Sequence, residues 1–230
     1  MAHIYSPKIS SDSMVLCVDS ANPRSYPGSG TSWLDLSGNK NDFSMTSITF
    51  DPSFALGSFL FNGTNASAIG PNVSLGQYGT LNVWFQQTAS TVNKGLFGIS
   101  NGTNSAYFYI GGSSGTTIAI SNGGSAVPQY VNEVSIPANR QTSWNMATYT
   151  WSDSTVTVSI NAGAPATTTG YSFTRSGQAY IGVYPNQSST SYFNGYISVV
   201  QLYSRVLTQA EITANYYALA MRFPNASIIF

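Results

Sequence analysis

The chain runs to 230 residues, with eight basic and eight acidic side chains, a formal net charge of zero and one histidine. Only 7% of residues are charged, against about 25% in ordinary soluble domains, and the charges stand singly. That excludes the electrostatic footprint of a nucleic-acid-binding protein or of one that lies on an anionic membrane. A near-neutral, tyrosine-rich surface suits contact with sugars or a neighbouring protein and favours self-association.

Short apolar or alternating runs recur from end to end. They predict strands at Met14–Val18, Ile48–Phe50, Ser58–Phe61, Leu81–Gln86, Gly95–Ile99, Ala106–Ile110, Thr116–Ile120, Gln129–Val134, Asn145–Trp151, Thr155–Ile160, Gln178–Val183 and Tyr196–Tyr203. Clusters of Gly, Asn, Ser and Pro separate them, the spacing of an all-β sandwich or barrel. In Thr155–Ile160 the apolar residues Val156, Val158 and Ile160 alternate with hydroxyl residues, so one face is buried and one wet. By contrast, Ala106-Tyr107-Phe108-Tyr109-Ile110 is apolar on both faces, as in an inner strand or one whose outer face meets a partner.

One helix is predicted near the C-terminus. Thr208-Gln209-Ala210-Glu211 has the form of a capping box, and Ile212, Tyr216 and Leu219 then fall on one stripe, with Pro224 setting the end near Phe223. The expected organisation is an N-terminal arm (1–11), one sandwich domain (12–223) and a tail (224–230). The tail carries Ile228, Ile229 and Phe230, which either fold back or bind a neighbouring subunit. Met1–Pro7 lacks the basic start and apolar stretch of a signal peptide, and no stretch approaches membrane-spanning length. Cys17, the only cysteine, lies in an apolar run and reads as a small hydrophobe.

The inventory is poor in chemistry. His3, in the N-terminal arm, leaves a nucleophilic triad without a base. Glycoside hydrolysis needs two flanking carboxylates; the two glutamates are Glu133, with no acid two or four residues on, and Glu211, in the capping box. A non-enzymatic chain without a cofactor is the expectation. The best local site is Trp33–Asp42, where Asp35, Asn39 and Asn41, with Asp42, place oxygens on a glycine-containing loop as calcium requires. The competing reading is an Asx-type turn in which they bond the loop's own backbone. Tyr26, Tyr78, Tyr130, Tyr184 and Tyr192, in or beside loops, are candidates for stacking on a sugar or anchoring a protein contact.

Three segments in order resemble the laminin-G-like modules of the concanavalin A-like lectin/glucanase superfamily: Leu16–Asn39, Phe59–Asn65 with Leu81–Phe85, and Phe193–Ile212. The resemblance implies a two-sheet antiparallel jelly-roll sandwich with one short C-terminal α-helix. Calcium-binding members carry acidic residues where this chain has Ser198 and Ala66, which weakens calcium at Asp35. The Tyr26-Pro27-Gly28-Ser29-Gly30 opening and the Leu202-Tyr203-Ser204-Arg205-Val206-Leu207 close resemble versions in structural proteins of tailed bacteriophages, including those of cyanobacteria. That implies a multicopy virion component on the outer surface of the particle, assembled in the host cytoplasm. The first expectation is a capsid decoration or cement protein that binds the major capsid protein or other virion proteins. The alternative is a carbohydrate-binding adhesin of a tail fibre or baseplate.

Overall fold

The structure, a computed structural model, describes residues 8–88, 94–111, 115–124, 127–138, 141–171, 175–184, 191–224 and 226. Along these the chain forms β1 (Met14–Asp19), β2 (Ser32–Trp33), β3 (Phe43–Thr46), β4 (Thr49–Asp51), β5 (Ser58–Asn62), β6 (Ser67–Leu75), β7 (Tyr78–Gln87) and β8 (Lys94–Ser100). These are followed by β9 (Asn104–Gly111), β10 (Thr117–Gly124), β11 (Val127–Ser135), β12 (Asn145–Ser152), β13 (Thr155–Ile160), β14 (Ala166–Thr169), β15 (Arg175–Ile181), β16 (Asn194–Tyr203) and α1 (Gln209–Ala220).

The strands make two antiparallel sheets. In the first the order is β14-β13-β12-β7-β16-β5-β4, with β1 also paired to β16; in the second it is β11-β10-β9-β8-β15-β6-β3-β2. The architecture is the jelly-roll sandwich with one short C-terminal helix that the sequence implied. Alternation explains the core: Leu81, Val83 and Phe85 of β7 meet Ala106, Phe108 and Ile110 of β9 in one cluster between the sheets. All four tryptophans are buried.

The helix covers the outer side of the first sheet. Its capping box is complete, with Thr208 and Glu211 bonded reciprocally. Ile212, Tyr216 and Leu219 pack with Trp84, Trp144, Met146 and Val199 in a second apolar cluster. Trp84 stacks on Tyr216 at 5.2 Å and on Phe223 at 4.3 Å. Helix α1 ends at Ala220, three residues before Phe223, because residues 221–223 turn back and bring Arg222 over the first sheet.

Four strands lack a counterpart in the sequence prediction: β2, β3, β6 and β14. The longest, β6, contains Gly70 and Pro71, which read as a turn. The register between β6 and β15 shifts at Gln178/Tyr180, and Gly70 and Pro71 sit in that irregularity, where a missing N–H does not break the ladder.

Candidate functional site

The calcium reading of the 33–42 loop meets a donor set that is already committed. Asp35 Oδ1 accepts from the backbone N–H of Cys17 and of Ser37, both at 2.9 Å. Its Oδ2 accepts from the Ser37 hydroxyl at 2.6 Å and from the Asn41 N–H at 3.1 Å. Two bonds on each carboxylate oxygen use its lone pairs. Asn39 and Asn41 turn their amide NH2 groups to the carbonyl of Val15, and Asp42 accepts from the Asp35 N–H at 2.8 Å. The loop is an Asx-type staple that fixes the edge of β1, and its oxygens do not fit a calcium cage. Among the described residues no group of three or more His, Cys, Asp or Glu is placed to hold a metal ion. Cys17 beside it is buried, and burial together with Asp19 and Asp35 pushes its thiol up to about 12.

Ser198, where the resemblance implied an acidic residue in calcium-binding members, belongs to a different device. A bulge in β16 between Ile197 and Val199 leaves Ser198 as the extra residue. There its hydroxyl meets Ser20 at 2.8 Å and accepts a bond from Arg222. The Arg222 guanidinium also pairs with Asp19 at 2.6 Å and donates to the carbonyls of Ala55 and Gly57. An in-chain cation holds together the first strand, the closing strand and the 54–57 turn. Ala66 is fully buried in the core cluster.

The predicted tyrosines separate. Tyr26 is not an exposed loop ring: it is 7% exposed and packs edge-on against Phe59 at 4.8 Å and Phe50 at 4.9 Å, since a ring in a glycine-rich loop still gains more by entering the core. Tyr78 is exposed and donates its hydroxyl to Asp153 at 3.1 Å. Tyr192 is half-buried just before β16. The backbone of Tyr130 pairs with Ser121, but its side chain lies outside the described residues, as do Ile228, Ile229 and Phe230.

Tyr184 lies in a cluster with two strand tyrosines that its loop position does not reveal. Because Ala106, Phe108 and Ile110 face the core, Tyr107 and Tyr109 of β9 face outward from the second sheet. The Tyr184 ring meets both edge-on, at 5.2 Å and 5.5 Å. It is carried there by the exit of β15, which crosses directly over Gly95: a Cβ at that glycine would lie 2.4 Å from the carbonyl carbon of Val183. Across the sheet the register runs Tyr180, Gly98, Tyr107, Ser121, so two tyrosines flank a residue without a side chain, about 9.5 Å apart at the backbone.

Hydroxyl, amide and carboxylate groups complete this face. Tyr180 donates to Gln178 at 2.8 Å, Ser105 to Ser100 at 2.7 Å, and Thr117 to Glu133 at 2.9 Å. Burial raises the pKa of Tyr109, the Ser121 hydroxyl draws it back, and the Glu133 charge raises it further. Burial also raises Tyr184, reinforced by Tyr109, Tyr149 and Tyr107 around it. These phenols stay neutral donors and acceptors at physiological pH, and the arrangement can stack on an apolar ring face while bonding hydroxyl groups at its edge. The two-sided apolar pattern of Ala106–Ile110 was the sequence signal for it.

Residues 61–213, well over half of the chain, match a laminin-G family described as the concanavalin A-like lectin/glucanases superfamily. The chain belongs to that superfamily. No curated protein matches it in sequence. Among solved structures, this superfamily member is similar to domain 4 of AbnA, a GH43 extracellular arabinanase from Geobacillus stearothermophilus, in complex with arabinotriose. The TM-score is 0.70 at 16% identity, over 88% of this chain and 98% of that one. It is also similar to the binding domain of botulinum neurotoxin DC in complex with SialylT, with a TM-score of 0.64 at 12% identity, covering 91% of this chain and 52% of that one. The receptor binding domain of botulinum neurotoxin type G gives 0.62 at 13% identity, over 89% and 51%. The chain thus spans about half the length of the toxin domains, and at these identities the likeness is one of fold.

Proposed function

We propose that this chain is a non-enzymatic carbohydrate-binding domain, and that it serves as an adhesin module on a tailed-phage particle. The observation that carries the reading is the outer face of the second sheet, where the half-buried rings of Tyr109, Tyr180 and Tyr184, gathered over the buried Tyr107, stand among Ser, Thr and Gln side chains. Flat rings beside short polar groups are what a polyol with apolar ring faces requires. Two domains of similar fold, the arabinanase domain with arabinotriose and the toxin domain with SialylT, support a sugar as the ligand class. A non-enzymatic role is supported by the acids: Glu133 is the only carboxylate on the strands of the second sheet, whereas hydrolysis needs a pair. The test is a glycan array followed by calorimetry on the purified chain, with Tyr184→Ala as comparison. Binding that drops about tenfold in the variant supports the reading, an estimate that converts roughly 1.4 kcal/mol of stacking and contact. Silence across the array refutes it.

A second reading, decoration of a capsid through contacts with the major capsid protein and neighbouring copies, is favoured by two exposed apolar side chains. Leu56 is 75% exposed and Met221 79%, and they flank the hydrogen bond from Arg222 to Ala55. Removing residues 224–230 together with Leu56→Ser and Met221→Ser then lowers occupancy on particles, measured by electron microscopy of virions. Full occupancy counts against that role.

A further inference from the structure

We infer that the open corner of the first sheet carries a second sugar-binding surface, a hydroxyl-lined floor on β7, β12, β13 and β14 ended by the Tyr78 ring. The inference rests on the reading of the chain as a carbohydrate-binding domain and adds a site on the other sheet.

Register builds the floor. Leu81, Tyr149, Val156 and Val158 face the core, so the residues that alternate with them face outward. One row then runs Tyr78, Ser152, Thr155, Thr169 across the four strands. The next runs Thr80, Thr150, Thr157, Thr167. Three strand spacings make each row about 14 Å long, and the rows stand about 7 Å apart. The 205–207 segment closes over Thr80, whose hydroxyl bonds the Arg205 carbonyl and the Leu207 N–H, and Thr150 is bonded to Thr157 at 2.7 Å. The rest is open: Ser152 and Thr155 are half-buried, and Thr167 and Thr169 are exposed. The hydroxyl groups of these four have no hydrogen-bond partner among the described residues.

Tyr78 is the most exposed aromatic side chain among the described residues, at 44%. Its mount is rigid. Trp151 fills the space where Gly79 has no side chain, and its indole N–H donates to the Gly76 carbonyl at 3.0 Å. The Asp153 N–H donates to the Gln77 carbonyl at 3.2 Å. The Tyr78 hydroxyl donates to Asp153 Oδ1 at 3.1 Å, and the Gln77 amide donates to the same oxygen. The ring is therefore fixed before a ligand arrives, which lowers the entropic cost of binding.

The chemistry selects the occupant. The four strands carry no charged residue, and a protein partner would call for apolar side chains at the centre of the patch, where the rows offer hydroxyl groups. A chain of neutral polyols fits instead. The ring takes the apolar face of one sugar unit, and the hydroxyl groups, which both donate and accept, bond the units that follow.

The experiment is isothermal titration of the full chain with neutral arabino- and gluco-oligosaccharides, repeated for Tyr78→Ala, Thr155→Val and Tyr184→Ala. Two sites per chain are expected. Tyr78→Ala weakens one of them about fivefold, the loss of one ring contact. Thr155→Val weakens the same one about threefold through a lost hydrogen bond. Tyr184→Ala weakens only the other. Tyr78 and Thr155 both point away from the core, so the Tm of each variant stays within about 2 °C of the natural chain. Thr155→Val keeps the branched shape and carries the test if Tyr78→Ala folds poorly. One site per chain that neither Tyr78→Ala nor Thr155→Val changes overturns the inference and leaves carbohydrate binding intact. One site that Tyr78→Ala weakens and Tyr184→Ala does not upholds the inference and overturns the role of the second sheet. Binding of neither probe overturns the reading on which both sites rest.

Discussion

Replacing Arg222 should loosen one end of the sandwich far more than its place at the end of a helix suggests. Its guanidinium pairs with Asp19 at 2.6 Å and donates to Ala55 O at 2.9 Å, to Gly57 O at 3.2 Å and to the Ser198 hydroxyl. The two charged side chains are 9% and 18% exposed, so the pair is largely desolvated and the usual discount for surface ion pairs is small. Arg222→Ala leaves the buried Asp19 carboxylate without its cation and the Ala55 and Gly57 carbonyls without the guanidinium donor, at a cost of about 3 kcal/mol, the low end for breaking a buried pair. The turn it holds is strained, with Ala55 and Leu56 both at positive φ (51° and 62°), and relaxation of that turn offsets a small part of the loss. For a chain of this length the change corresponds to a fall in Tm of roughly 6–12 °C, measured by thermal denaturation with a matched urea curve. Asp19→Asn retains the acceptor for the Ala21 N–H and isolates the charge, and the double variant with Arg222→Ala should lose less than the sum of the single ones. A Tm within about 2 °C of the natural chain for Arg222→Ala, or strict additivity, would refute the clamp.

Three further outcomes follow from the same geometry. Tyr149→Phe should raise stability by about 1 kcal/mol, because the Tyr149 hydroxyl is fully buried with no hydrogen-bond partner and removing an unsatisfied polar group relieves its desolvation; a lower Tm contradicts this. Glu211, held near a pKa of about 2 by Arg205 and the Thr208 groups, contributes stability that is full above the ordinary carboxylate range. That contribution is lost as pH falls from about 4.5 to about 2. The Tm difference between the natural chain and Glu211→Gln should therefore vanish across that window, and a difference constant with pH would exclude the linkage. Gly95→Ala forces its new methyl group into the Val183 backbone, at about 1–3 kcal/mol, and shifts Tyr184; the Tm should fall and glycan affinity with it, whereas a silent variant would mean that the crossing is loose.

The fold was legible because its causes are local and repeated. Strict alternation in Thr155–Ile160 required one buried face, and β13 has one, with Val156 and Val158 in the core. The Thr208–Glu211 spacing required reciprocal caps, and both are present. What escaped were elements whose sequences carry turn residues for other reasons. Gly70 in β6 makes room for the Phe43 ring, 2.8 Å from where a Cβ would stand, and Pro71 sits in the shifted register. Neither cause is visible until the partner strand is known.

The site was less legible for a related reason. Loop tyrosines were the natural place to look for a ligand contact, yet Tyr26 found a core of its own in Phe50 and Phe59. The rings that gather outside are a product of register. Tyr107 and Tyr109 are outward only because their neighbours are inward, and Tyr184 joins them only because Gly95 lets the chain pass over it. The pattern Ala106-Tyr107-Phe108-Tyr109-Ile110 did contain the signal. Burying a strand on one side never requires apolar rings on the other, so rings on both sides demand a second occupant. In this chain the crossing segment with Tyr184 supplies it for Tyr107, which is left 4% exposed, while Tyr109 stays half-buried at the surface beside it.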